Sequence, residues 1–143
     1  MTALPPVAEL LPHSPPMILL DEVVEADGRR AVCRVRVRGD SPFAEGGKVP
    51  AVVAIEYMAQ AVSAYAGLQA RARGAPPRIG YLLGTRELTL ELDAFDVGDE
   101  LVVEAVYVWG DETLGAFDCT VRRAGQSVAA ATLHVHQGEE PTP

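Results

Sequence analysis

Residues 49–73, VPAVVAIEYMAQAVSAYAGLQARAR, decide how the rest of the chain must be arranged. The stretch carries a single acid, Glu56, among small and apolar residues. Pro50 suits a first helical position, where its missing N–H leaves nothing unpaired, and Arg71, Arg73, Gly74, Pro76 and Pro77 form a stop signal. About 22 helical residues would span roughly 33 Å, enough to cross a small domain. A membrane span needs roughly 20 apolar residues with few or no charges, and Glu56, Gln60 and Ser63 argue against one. These three fall near one stripe with Val52, Ala59 and Gly67, whereas Tyr57, Met58, Ala61, Tyr65 and Leu68 occupy the opposite side at helical spacing. The spacing predicts a buried helix wrapped by a sheet, with one polar lane along it.

The flanks supply the sheet. Residues 17–25 are a compact apolar run ending at Asp27-Gly28, a hairpin signal, and residues 30–38 alternate. Ala31, Cys33, Val35 and Val37 point one way, and Arg30, Arg34, Arg36 and Arg38 the other. After the helix come four further strand candidates, residues 79–92, 101–109, 114–123 and 128–136, separated by turn signals at Gly98-Asp99, Gly110-Asp111 and Ala124-Gly125. Two strands, one long helix and four strands imply an α+β fold, with an antiparallel sheet of about six strands around one central helix. Strands joined by short turns are expected to be neighbours.

With 143 residues and 48% hydrophobic content, the chain is expected to form one domain over residues 1–143, with a frayed acidic tail at 138–143. Cys33 and Cys119 both lie inside strand-like runs, which predicts a reduced, cytoplasmic setting rather than a disulfide scaffold. The opening MTALPPVAELLPH lacks a basic region followed by an apolar run, so no signal peptide is expected. A net charge of −8 disfavours nucleic acid as the main partner, because phosphate recognition needs a positive footprint.

The order of elements resembles the hotdog fold, and several motifs are similar to those of the 3-hydroxyacyl-[acyl-carrier-protein] dehydratases. LPHSPPMILLDEV resembles that family's opening LPHR-x-P-(F/M)-LL-(V/L)-D, IEYMAQA its central-helix IEALAQA, and VGDEL its PGD-x-L turn. IEYMAQA, AGLQAR and IGYLLGTR are similar to a short dehydratase-like subgroup found with aryl polyene biosynthesis. In the family a histidine in a Gly-His-Phe-Pro loop and an acid on the helix form the catalytic pair across a dimer interface. The resemblance places the acid at Glu56. Where the family has PFFQGHFPG this chain has PFAEGGKVP, so Gly47 stands at or near the histidine position.

Dehydrating a 3-hydroxyacyl thioester requires a base for the α-proton, an acid for the departing hydroxyl, and donors for the enolate-like oxygen. The backbone N–H groups of Ala51 and Val52, at the positive end of the helix macrodipole, suit the thioester oxygen. Glu56, set nearly two turns inside an apolar helix, is the candidate acid, since apolar surroundings favour a protonated carboxyl group. The competing reading is a structural acid bonded to backbone. Gln60, at i+4, can orient Glu56 or serve as a polar core residue. His13, in LPHSPPM, has the side chain suited to proton transfer near neutral pH, although the family's motif histidine is not the catalytic one.

His134 and His136 share a strand face but lack a third ligand, so a zinc site is disfavoured and no metal or cofactor is expected. No serine stands in a nucleophile elbow. Arg71, Arg73 and Arg78, at the helix end, could steer an acidic carrier protein; Arg34, Arg36 and Arg38 read as a solvated strand face.

The resemblance implies a cytoplasmic dimer acting on acyl carrier protein or coenzyme A thioesters. It is either a homodimer or a heterodimer with a histidine-bearing paralogue, and it is impaired alone because the loop histidine is absent. The strand from Ile79, with Gly80 and Gly84, is the interface candidate. An apolar tunnel beside the helix is expected to use some of Tyr57, Tyr81, Leu82 and Leu83. Acyl thioester hydrolysis and non-catalytic acyl binding beside an active dehydratase are the competing functions.

Overall fold

The alternation in residues 30–38 produces a sheet that is apolar on one side only. In the computed structural model, which describes residues 4–75, 80–111 and 113–137, strands β1 (Glu22–Ala26) and β2 (Arg30–Arg36) form a hairpin. Ala31, Cys33, Val35 and Val37 are all buried. Asp27 sets the turn, its carboxylate accepting the Arg29 and Arg30 N–H groups at 2.8 and 3.0 Å. On the outer face the arginines meet acids: Arg34 bonds Glu22 at 2.8 Å, Arg30 bonds Glu104 at 2.9 Å, and Arg38 pairs with Asp21.

The remaining elements are β3 (Lys48–Pro50), the helix α1 (Ala54–Ala72), β4 (Gly80–Leu90), β5 (Ala94–Asp96), β6 (Glu100–Gly110), β7 (Leu114–Arg123) and β8 (Gln126–Gln137). Six strands pair antiparallel in the order β1-β2-β6-β7-β8-β4, and β3 pairs separately with β5. The sheet wraps α1, as expected of a hotdog arrangement. Tyr57, Met58, Ala61, Ala64 and Tyr65 are buried. The Tyr65 ring meets Phe117 edge-on at 5.5 Å, and its hydroxyl donates to the Gly28 carbonyl at 2.7 Å.

The helix begins later than its composition implies. Val49 and Pro50 belong to β3, where Val49 pairs with Phe95, and a 3-10 turn at Ala51–Val53 leads into α1. Pro50, at ψ 139°, ends a strand rather than starting a helix. At the other end the N–H of Gly74 bonds the Arg71 carbonyl and that of Ala75 bonds Ala70, with Gly74 at φ +68°. This left-handed closure satisfies the last carbonyls and ends the helix. Pro76, Pro77, Arg78 and Ile79, and the tail at 138–143, lie outside the described residues.

The first strand is also shorter than the apolar run from residue 17. The backbone groups of Met17 and Leu19 are bonded by the Gln60 side chain instead of a ladder. Before it, the chain crosses α1 at Gly67, where an added Cβ would sit 2.7 Å from the Leu10 carbonyl oxygen. The short strands β3 and β5 were not legible, since three residues are too few to show a period.

Candidate active site

The polar lane on α1 divides. Gln60 and Gly67 turn toward the N-terminal segment, while Glu56, Ala59, Ser63 and Ala66 line a cleft of about 440 Å³. Its other wall includes Tyr81 and Leu82 of β4 and Val135 of β8. Glu56 stands at one end with its side chain 33% exposed, a correction to the expectation of an acid sunk in apolar core. Because α1 starts only at Ala54, the position falls in the first turn rather than nearly two turns inside, and it faces the cleft.

His13 is brought to the same place. Its Nε2 lies 3.4 Å from Glu56 Oε1, and its side chain is 26% exposed. Gln60 is fully buried and uses both ends of its amide. Nε2 donates to Glu56 Oε1 at 2.9 Å and to the Met17 carbonyl at 2.7 Å, and Oε1 accepts the Leu19 N–H at 2.9 Å. A buried amide with every strong bond made fixes what it touches. His13 Nδ1 is buried without a hydrogen-bond partner among the described residues.

Other expected site residues are placed differently. The Ala51 N–H donates to the Asp93 carbonyl at 2.9 Å and Ala51 is 2% exposed, so this donor is already used and is not open to a thioester oxygen. Val52 is 54% exposed, and as a first-turn residue it has an N–H that no intrahelical carbonyl reaches. It does not line the cleft. Tyr57 packs on the far side of α1 against Phe95, ring centroids 5.8 Å apart, and burial pushes its hydroxyl up to about 12. It is a core residue that lines not this cleft but a second cavity of about 450 Å³, with Ile18, Leu19 and Val37. Tyr81 and Leu82 line the cleft as expected, whereas Leu83 is exposed away from it.

The far end of the cleft holds Gln69, Arg73, Tyr107 and Asp111. Of these only Arg73 stood out in the sequence, as part of a basic cluster. Tyr107 arrives through the register shift between Tyr107 and Trp109, which no local pattern announces. Arg71 pairs with Glu9 at 3.6 Å. His134 and His136 stand on the β8 face opposite Val135, near Trp109 and Tyr81 respectively. Gly47 sits at φ +78°, a backbone conformation in which a histidine would be strained, and its carbonyl accepts the Val97 N–H at 3.0 Å.

The stretch Ala51–Ala72 is long and apolar enough to cross a membrane, but 61% of its most apolar window is buried inside this fold. Within β4, at the sheet edge, Tyr81, Leu82, Leu83, Leu88 and Leu90 are exposed.

Comparison with known proteins agrees with this architecture. Residues 5–142 match the family model described as ApeP-like, ApeP dehydratase. The chain is 30% identical over 136 residues to the 3-hydroxyacyl-[acyl-carrier-protein] dehydratase FabZ of Anaeromyxobacter dehalogenans, covering 87% of this chain and 83% of that protein. Among solved structures it is similar to the dehydratase heterocomplex ApeI:P from Xenorhabdus doucetiae, with a TM-score of 0.90, 31% identity, and coverage of 94% and 92% of the two chains. An uncharacterised protein, PH1136 from Pyrococcus horikoshii, shares the fold at a TM-score of 0.67 and 16% identity, covering 95% of this chain and 96% of its own. The chain therefore belongs to the ApeP-like dehydratase family, hotdog-fold dehydratases of the aryl polyene type.

Proposed function

We propose that this chain, as one hotdog domain in the cytoplasm, dehydrates 3-hydroxyacyl thioesters of acyl carrier protein in polyene or fatty acid biosynthesis. The observation that carries this reading is Glu56, held by the buried Gln60 amide at the end of a cleft running along α1. From Glu56 to Arg73 the helix advances about 25 Å at roughly 1.5 Å per residue, long enough for an extended acyl chain. Glu56 delivers its proton to the departing C3 hydroxyl, and Gln60 orients the carboxyl group. The free first-turn N–H of Val52 and the positive helix end act on the thioester oxygen.

The chain works as half of a dimer with a histidine-bearing paralogue, joined along β4. The apolar, unpaired edge of β4 supports this arrangement, as does the likeness to a heterocomplex. Acyl carrier protein is the carrier named for the FabZ relative.

The test is product analysis by mass spectrometry, with 3-hydroxyacyl-carrier substrate and the chain alone or with the paralogue. An enoyl thioester is expected, formed faster in the mixture. Free acid plus thiol would replace the reading with hydrolysis, and an unchanged substrate would replace it with acyl binding.

A further inference from the structure

The ring beside Glu56 carries an unexplained atom: His13 Nδ1 is buried and has no hydrogen-bond partner among the described residues. We propose that His13 is a positioning residue for the acid and not a base. Its Nε2–H and the Gln60 amide together make Glu56 Oε1 the accepting oxygen, which places the transferable proton on Oε2. This rests on the dehydratase reading above, in which the loop histidine of the paralogue takes the C2 proton.

The hydrogen positions follow from the bonds around them. The Leu19 N–H, bonded at 2.9 Å, needs the oxygen end of the Gln60 side chain, so the NH2 end faces Met17 and Glu56. A donor 2.9 Å from Glu56 Oε1 favours the carbonyl oxygen there and leaves the hydroxyl of the protonated acid to Oε2. The imidazole makes the same demand. A hydrogen on Nδ1 would be a buried donor with nothing to bond, so the neutral ring carries it on Nε2, 3.4 Å from the same Oε1. Catalytic hydrogen bonds are often long in an unliganded site and tighten when substrate binds.

The loop bearing His13 is pinned on both sides. Upstream, Leu10 is 2% exposed and lies against Gly67 of α1. Downstream, Met17 and Leu19 are bonded to Gln60, and the Met17 N–H closes a turn on the Ser14 carbonyl at 2.9 Å. The amide that orients Glu56 therefore also holds the segment that presents His13.

Two donors on one oxygen act where charge develops. As Oε2 gives its proton to the C3 hydroxyl, the C3–O bond breaks, water leaves, and the C2–H electron pair becomes the C2=C3 bond. The carboxylate so formed accepts both N–H groups more strongly than the neutral acid did, which favours the transition state over bound substrate.

The experiment uses the heterodimer with isotope-labelled histidine in this chain alone, and reads the ring nitrogens by NMR at about pH 8, where a free imidazole is neutral. The chain has three histidines, and the signals missing from His13→Leu identify the ring. A bare Nδ1 and a protonated Nε2 are expected; a proton on Nδ1 overturns the proposal, whatever the complex does to substrate. In dehydration kinetics, His13→Gln, whose amide can put an N–H near the place of Nε2, should keep kcat within about tenfold of the parent. His13→Asn and His13→Leu should lower kcat by about 10²-fold with little change in KM. Their melting temperatures should hold or rise, because Nδ1 has no partner to lose. A His13→Gln rate no better than that of His13→Leu, or a loss of rate that tracks a loss of melting temperature, overturns the positioning role. The dehydratase reading survives either result, provided that the parent dehydrates and Glu56→Gln does not. A parent heterodimer that forms no enoyl thioester overturns that reading, whereas the proton on the His13 ring still decides this one.

Discussion

Gly67→Ala tests whether the N-terminal segment is seated on α1 as tightly as the geometry requires. On an exposed helix face, Gly to Ala should stabilise by about 1 kcal/mol through backbone entropy. Here the new Cβ would meet the Leu10 carbonyl oxygen at 2.7 Å and the Leu10 Cα and Cβ at 3.2 Å. The first distance is to backbone, so relief requires moving the segment rather than turning a side chain. Overpacking of this kind costs roughly 1–3 kcal/mol, and partial exposure of the buried Leu10 side chain adds up to about 1.5–3 kcal/mol. After subtracting the propensity gain, the net loss is about 1–4 kcal/mol. At roughly 3 °C per kcal/mol for a chain of this size, thermal denaturation should show a fall of about 3–12 °C. Because Leu10 lies three residues before His13, dehydration should fall further than the remaining folded fraction explains. A melting temperature equal to or above that of the parent would refute the seating argument.

Phe95→Ala should cost about 3–5 kcal/mol in urea unfolding, because Phe95 is fully buried, packs on Tyr57 and anchors β5; a loss below about 1 kcal/mol would show that the β3–β5 pair is dispensable. The Asp27 carboxyl is held below its ordinary value of 3.8, first by the Arg29 N–H, then by the Arg30 N–H and the nearby arginine charges. A depressed folded pKa contributes stability that is present above the unfolded value and lost as pH falls through the folded one. Asp27→Ala should therefore lower the melting temperature near neutral pH and converge with the parent at about pH 2, whereas a pH-independent difference would assign the effect elsewhere. Burial pushes the Cys33 and Cys119 thiols up to about 12, so the native chain should resist iodoacetamide near pH 8 and take up two equivalents on unfolding; rapid native labelling would contradict the packing.

The parts of the fold that could be read directly were those in which one residue's environment repeats along an element. In β2 every second side chain enters the core, and Ala31, Cys33 and Val35 show the period because the sheet is wet on its other face. The body of α1 was legible for the same reason. Its start was not: Val49 and Pro50 belong to a ladder with β5, about 45 residues further on in sequence. The Ala51 N–H illustrates the same limit. Composition implies an open helix N-terminus at Ala51, but the three-dimensional path makes that residue the start of a 3-10 turn, with the Asp93 carbonyl occupying its donor.

The site was half legible. The Glu56–Gln60 relation is local, four residues on one helix, and can be read from spacing. The contacts of Gln60 with Met17 and Leu19 are long-range, and they turn a pair of polar residues into an attachment for the loop carrying His13. That attachment also explains why the apolar run from residue 17 does not become strand: a buried amide and a strand ladder compete for the same backbone groups, and the amide wins where Gln60 is dry. Among the described residues Gln60 is the buried polar side chain, so truncating it would leave the Met17 carbonyl and Leu19 N–H without their partner. Unpaired groups of this kind cost about 1–3 kcal/mol each when they stay buried. The geometry of the site and the path of the N-terminal loop are therefore set by the same hydrogen bonds, and a change that frees the loop should separate His13 from Glu56 before it unfolds the sheet.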